Sequence, residues 1–477
     1  MLNWIWLSML VVAVLVGGFT GKLPEVTKGA FTSATDAVMV IALPLVGIMA
    51  IWLGIMRLAE RAGLVQFIAQ GLRPVLRRLF PDVPPDHPAM GAMVMNMAAN
   101  MLGLGNAATP LGLRAMQDLE RLNPRPGVAT NAMCTFLAIN TASIQLVPTT
   151  AIALLAVAGS KNPTAIVVTA FLATCCAACS GVFSAKVLER LPMFRLPPLP
   201  REGEAPAEPT PRAAATGSAG ASPSPAKEEV TPEPAALTVK GRAILGIFGA
   251  AFAAMFVMVA FRDAADSLWG TVQFGMFSTP AEQLSHLPPA PADIAGKGPV
   301  IRSLFAISTL AVPFLLSFFP LYAALRGVKV YEQFTEGAKE AFGVAQRIVP
   351  FLVAMLVAIR MLREAGVIDL LTRTLTPVLS AIHFPADLLP MVLMRPLSGS
   401  ATQGLFVELI NRLGPDTLTS RIAGTIYGST ETTFYVLAVY FGSVSIRQTR
   451  HAVAAGLIAD TVAVIASTVI CTLIFAQ

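Results

Sequence analysis

Long apolar runs alternate along this chain with short polar stretches, and the runs share a characteristic length. A helix rising 1.5 Å per residue needs about 20 apolar residues to cross ~30 Å of hydrocarbon. Runs of that size occur at residues 2–19, 37–56, 131–158 and 164–185, and again at 244–261, 304–325, 342–359, 422–441 and 451–475. The pattern predicts an all-α polytopic membrane protein with about nine transmembrane helices. Residues 1–19 lack a basic lead and an Ala-x-Ala site, so a first helix is expected there rather than a cleaved signal.

Two segments are too polar and too broken to span. Residues 90–116 carry Asn96, Asn100, Gly103, Gly105, Asn106, Thr109 and Pro110; residues 389–411 carry Arg395, Pro396, Ser398, Gly399, Ser400, Thr402 and Gln403. Both are expected to be re-entrant helical hairpins, whose irregular tips must point into protein or water because lipid cannot satisfy their amides. Each follows an arginine-rich amphipathic stretch, 57–80 and 360–382, suited to the membrane interface. At an offset of 303 these stretches share Arg57/Arg360, Ala62/Ala365, Gly63/Gly366, Leu72/Leu375, Pro74/Pro377, Val75/Val378 and Leu76/Leu379. Beyond the hairpins, Arg121-Leu122-x-Pro124 matches Arg412-Leu413-x-Pro415 at an offset of 291, so the first hairpin is expected to be longer by about 12 residues. The chain carries one unit twice, and the unmatched run 244–261 delivers the second copy upside down. Inverted repeats with broken helices are the layout of many secondary transporters.

Composition adds the boundaries. The chain is 55% hydrophobic and 13% charged, half the charge of ordinary soluble domains. Its +6 net charge lacks the basic runs with interleaved aromatics of a nucleic-acid surface, so nucleic acid is not an expected partner. Residues 196–236, rich in Pro, Ala, Glu and Ser, form a disordered linker between 1–195 and 237–477. Cys134, Cys175, Cys176, Cys179 and Cys471 lie in apolar runs and are expected to be small buried hydrophobes. No metal or cofactor is expected. Neither is catalysis, since His87, His286, His383 and His451 form no Ser-His or His-Glu-x-x-His constellation.

The candidate chemistry centres on Gly428-Ser-Thr-Glu-Thr-Thr-Phe-Tyr435, which puts Glu431 among hydroxyls inside an apolar run. A carboxylate at bilayer depth costs at least ~2.5 kcal/mol and normally faces a cavity, a partner or an ion. Ser429, Thr430, Thr432 and Thr433 would crowd the same helix turn, and Glu431 could couple to H+ or Na+, bind a hydroxyl-bearing solute, or pair with Arg395. Asn140 falls opposite Glu431 at the 291 offset, with Thr141, Ser143 and Gln145 as the neutral half. Asn96 and Asn100 share one helical face. Asn106, Thr109, Ser398, Ser400, Thr402 and Gln403 sit at the hairpin tips, as ligand contacts or as caps. Asp460 is a second intramembrane acid, a relay or a partner for Arg447 or Arg450.

The motif Asn96-Met-Ala-Ala-Asn-Met-Leu-Gly-Leu-Gly-Asn-Ala-Ala-Thr-Pro110 resembles the signature of the spore maturation protein A family. Arg395-Pro-Leu-Ser-Gly-Ser400 and the stretch from Gly428 to Gly442 resemble that of the B family. Both are similar to the nucleoside recognition, or Gate, domain and to the membrane parts of ferrous iron transporter B and concentrative nucleoside transporters. The resemblance implies a permease-like core in the bacterial cytoplasmic (inner) membrane, moving a small polar, nucleoside-like solute, with H+ or Na+ coupling through Glu431. The competing expectation is a non-transporting scaffold for envelope or spore-cortex maturation. Self-association is left open. No Gly-x-x-x-x-Gly-Lys-[Ser/Thr] sequence occurs, so nothing points to nucleotide-driven transport.

Overall fold

The computed structural model describes residues 2–103, 105–194, 235–261, 298–367, 370 and 384–475. Almost all of the 196–236 linker, most of the loop between Arg262 and Arg302, and residues 368–369 and 371–382 of the second arginine-rich stretch lie outside the described residues. Among those described the protein is helical, with no strand and one isolated bridge between Val128 and Gln448. We number the helices α1 (Leu2–Phe19), α2 (Leu23–Arg61), α3 (Leu64–Leu79), α4 (Pro88–Met101), α5 (Gly105–Arg121), α6 (Asn131–Ala142), α7 (Thr149–Val157) and α8 (Ile166–Leu188). The second half supplies α9 (Val239–Ala260), α10 (Pro299–Leu325), α11 (Val330–Glu364), α12 (Leu389–Met394), α13 (Gly399–Leu413), α14 (Leu418–Ser429), α15 (Thr433–Ser443) and α16 (Ala452–Phe475).

Several expected spans change shape. The run 37–56 is only the middle of α2, a helix of 39 residues that starts at Leu23-Pro24. Pro44 can neither donate an amide nor admit a regular preceding turn, and the helix answers with a π turn over Ala37–Ala42. Arg57 and Arg61 belong to the end of α2 rather than to an interfacial helix. The separation comes at Gly63, whose φ of +80° suits a glycine, and its repeat mate Gly366 ends α11 at +85°. The runs 131–158 and 422–441 are both interrupted, as α6/α7 and α14/α15. In the first hairpin the leading helix α4 has 14 residues, against 6 for α12. Cys134 and Cys471 are buried as expected, but Cys176 and Cys179 face outward from α8, a correction set by the helix's rotation against α6 and α16.

The two long helices α2 and α11 run antiparallel in direct contact. A Cβ on Gly54 would lie 2.6 Å from the Phe334 ring, one on Gly337 2.6 Å from the Leu53 carbonyl, and one on Gly29 3.0 Å from Glu364. Small residues let backbones approach where lipid gives no hydrophobic driving force between helices. At the 303 offset α1 corresponds to α10 and α2 to α11, leaving α9 unmatched; it packs on α10 through Phe248 and Phe252 against Phe314 and Phe318.

Each broken helix is lined by the helix that follows it, running the other way. Thr174 of α8 donates to the Ala142 carbonyl (2.7 Å). On the second side, Thr425 meets Cys471 (3.1 Å), Ser429 meets Ser467 (3.2 Å) and Thr433 meets Asp460 (2.5 Å), successive rungs of an antiparallel pair. The repeats are then clamped to each other at two loops. Arg447 N donates to the Gly127 carbonyl (2.9 Å), Ala129 N to that of Gln448 (3.0 Å), and Arg450 to Asn131 Oδ1 (2.7 Å). In the other clamp Asp416 accepts from Ser160 Oγ (2.6 Å) and Lys161 N (3.0 Å).

Asp416 supplies a pH prediction. Partial burial works to raise its pKa, but the donors Lys161 N–H and Ser160 O–H, with Arg421 and Asn162 N–H, outweigh it and hold the carboxyl below its ordinary value. A carboxylate depressed on folding stabilises at neutral pH and loses that contribution as pH falls through its folded value. Thermal melts of Asp416→Asn should show a lower midpoint at pH 7 and a shallower acid limb than the parent; parallel limbs would contradict this.

Candidate functional site

The site forms where the two broken helices cross. The first break is set by Ser143, held in the left-handed region (φ 40°), and by Pro148, which disfavours helix in the residue before it. The second falls in a β-branched cluster. Thr430 is extended, its hydroxyl turned back to the Ile426 carbonyl (2.7 Å), a local bond that competes with helix continuation. Ser429, Thr430, Thr432 and Thr433 therefore do not share a helix turn as expected; they straddle the break. α6 runs antiparallel to α15, with Phe136 stacked on Tyr440, and the breaks touch directly: Glu431 N donates to the Thr141 carbonyl at 3.0 Å.

Each hairpin tip docks on the break of its own repeat. Leu146 N donates to the Met101 carbonyl (2.9 Å) beside the first tip, and Phe434 N to the Pro396 carbonyl (3.0 Å) in the second. Gly399 is required at the second contact, since a Cβ there would sit 2.9 Å from Thr432 Oγ1.

A buried amide cluster fills one side of the crossing. Asn100 Nδ2 donates to Asn140 Oδ1 (3.0 Å), Tyr440 O–H approaches the same oxygen (3.5 Å), and Asn96 Nδ2 reaches both the Ala108 carbonyl (2.8 Å) and the Tyr440 oxygen (3.5 Å). Asn140 Nδ2 returns to the Phe136 carbonyl (2.9 Å), while Asn96 Oδ1 is buried without a hydrogen-bond partner. Gly112 makes room for Tyr440: a Cβ there would stand 2.3 Å from its hydroxyl.

Arg395 organises the other side. Its Nε donates to Thr430 Oγ1 (2.8 Å) and its Nη2 to the Tyr427 carbonyl (2.9 Å) and to that of Thr430, while the guanidinium lies 4.5 Å from the Tyr427 ring centroid. A cation at the end of α14 complements the free carbonyls there. Arg395 thus serves the break rather than pairing with Glu431. The Glu431 side chain is half-buried and has no hydrogen bond or ion pair among the described residues, within electrostatic range of Tyr427, Tyr440 and Asp460. Asp460 is buried and accepts from Thr433 Oγ1, not from Arg447 or Arg450, which the loop clamp holds.

The remaining sequence candidates divide. Thr141 is buried at the crossing, its hydroxyl on the Ala138 carbonyl (2.9 Å), and Gln145 reaches Ser143 Oγ (3.3 Å). Ser398 caps α13 through Ala401 N (3.2 Å) and Thr402 donates to the Ser398 carbonyl (2.7 Å), so both do backbone work at the tip. Ser400 and Thr109 are half-buried near their tips, and the Asn106 side chain lies outside the described residues. Tyr440 is the site residue that the sequence did not single out, although it stood inside a quoted motif; Arg395, expected as a partner of Glu431, is at the site but bonds Thr430 and Tyr427 instead. Along α5, Pro110, Leu113, Arg114, Gln117, Asp118 and Arg121 line, with Pro88, an open cavity of about 480 Å³.

Fold and site together define a polytopic helical membrane protein in which two repeats cross at broken helices, each covered by a hairpin. The nucleoside recognition (Gate) family model matches residues 42–187 and 345–447, taking in both hairpins and both breaks, and the chain belongs to that family. It is 44% identical over 174 residues to spore maturation protein A of Bacillus subtilis (strain 168), covering 36% of this chain and 88% of the relative. It is also 43% identical over 169 residues to spore maturation protein B of the same organism, covering 35% of this chain and 95% of the relative. One chain therefore spans most of both. The crystal structure of the Alcanivorax borkumensis YdaH transporter aligns over 99% of this chain and 96% of its own, at 14% identity and a TM-score of 0.42.

Proposed function

We propose that the protein is a secondary transporter of a small polar, nucleoside-like solute in the bacterial cytoplasmic membrane, with the crossing as its binding site. The observation that carries this reading is the meeting of the two breaks at Glu431 N and the Thr141 carbonyl, beside a carboxylate that has no protein partner among the described residues. Broken helices meeting from inverted repeats are how secondary transporters build solute sites, and an intramembrane acid without a partner is a functional residue by default. Amide groups of Asn96, Asn100 and Asn140 suit the hydroxyl and carbonyl groups of a nucleoside. Membership of the nucleoside recognition family supports the same class of solute.

The test is uptake of labelled uridine, and of other ribonucleosides, by proteoliposomes holding the full chain under imposed Na+ or pH gradients. Saturable uptake above empty liposomes is expected. Glu431→Gln should lose the response to the gradient while eluting as the parent does in size exclusion; an unchanged response would remove Glu431 from coupling. The relatives' spore maturation names favour a second reading, an assembly factor. Absent flux together with a stable envelope partner in pull-downs would support it.

A further inference from the structure

The orphaned oxygen of Asp460 points beyond solute binding. Asp460 is 6% exposed in the middle of α16; Oδ2 accepts from Thr433 Oγ1, while Oδ1 is buried with no hydrogen-bond partner. Protonation would remove the buried charge but still leave Oδ1 unpaired, at a cost on the order of 1–3 kcal/mol, and the ionised form without a partner costs more. Thr433 and Thr141 give their hydroxyl protons to Asp460 and to the Ala138 carbonyl, which leaves lone pairs on both oxygens. Their side chains converge over Gly456, one turn before Asp460: a Cβ there would lie 2.8 Å from Thr433 Cγ2 and 3.4 Å from Thr141 Oγ1. The charged groups within electrostatic range of Asp460 are Arg395 and Glu431, so two acids stand against one guanidinium, leaving a single formal negative charge.

We propose that Asp460, with the hydroxyls of Thr433 and Thr141, binds a hard monovalent cation, Na+, at the crossing of the broken helices. An all-oxygen donor set selects a hard cation, and one positive charge balances the cluster. In this arrangement the ion ties α16 to both breaks. The inference rests on the transport reading for its purpose, but not for its test.

Thermal unfolding of the detergent-purified full chain, titrated with NaCl against choline chloride at constant ionic strength, reads the site without any flux. A saturating rise in midpoint with Na+ alone is expected, as for any ligand bound only by the folded state. Asp460→Asn should abolish that rise. Thr433→Val, which removes one of the proposed ligand oxygens but keeps the side chain's shape, should raise the half-saturating Na+ concentration about tenfold, or ~1.4 kcal/mol. Coincident NaCl and choline curves for the parent, or a full Na+ response in Asp460→Asn, would overturn the site. Should Asp460→Asn not fold, an unshifted Thr433→Val curve would overturn it alone. A Na+ response confined to the parent in a protein without nucleoside flux would sustain the site and fail the transport reading; flux without a Na+ response would do the reverse.

Discussion

Arg395→Ala should destabilise the protein by roughly 3–5 kcal/mol, because it strips a charged donor from two carbonyls and a hydroxyl at the break. The guanidinium is the only group among the described residues that bonds the Tyr427 and Thr430 carbonyls from outside their own helix, and it also stacks on the Tyr427 ring. Arg395→Lys should recover less than half of the loss: an ammonium cannot present a planar fork to Thr430 Oγ1 and two carbonyls at once. Denaturant titration of the purified variants, followed by tryptophan fluorescence, measures the difference. Parent-like stability in Arg395→Ala would mean that the break holds its shape without the cation.

Gly112→Ala carries the other large effect. Its Cβ would lie 2.3 Å from the Tyr440 hydroxyl, 2.5 Å from Cζ and 2.9 Å from Asn96 Nδ2, and a packed ring cannot absorb so close an approach without leaving its place. Overpacking of this kind costs about 1–3 kcal/mol. Here it also disconnects Asn96 from Asn140, since Tyr440 is the bridge between them. Combining it with Tyr440→Ala removes the obstacle, so the double variant should be more stable than the sum of the two single losses predicts, as neighbours in one cluster are not additive. Simple additivity would show that Tyr440 does not occupy the space against Gly112.

Much of the architecture was legible because lipid imposes a composition on whatever it surrounds. Residues 2–19 and the later apolar runs sit where α1, α9, α10 and α16 form, and the 303 offset that pairs Gly63 with Gly366 is matched by two left-handed glycines ending two equivalent helices. The breaks were harder to see. Hydropathy reads 131–158 and 422–441 as continuous, since Ser143 and Thr430 do little to lower the average, yet it is their backbone conformation that opens each helix, with the hairpin tips docked a few residues on. For the same reason Glu431 stood out as an acid in an apolar run, while Tyr440 did not stand out at all and Arg395 was expected on Glu431 rather than on Thr430 and Tyr427. Their roles depend on partners 344 and 35 residues away. Tertiary contact, not local pattern, decides them.

The central claim is that the crossing holds a small polar solute, and thermal stabilisation by ribonucleosides tests it most directly. The parent chain in detergent should gain midpoint with at least one nucleoside in a concentration-dependent way, and Asn140→Ala, whose own unliganded midpoint falls because Asn100 Nδ2 loses its acceptor, should show no such gain. A parent that no nucleoside stabilises, or an Asn140→Ala variant that responds just as the parent does, would contradict it.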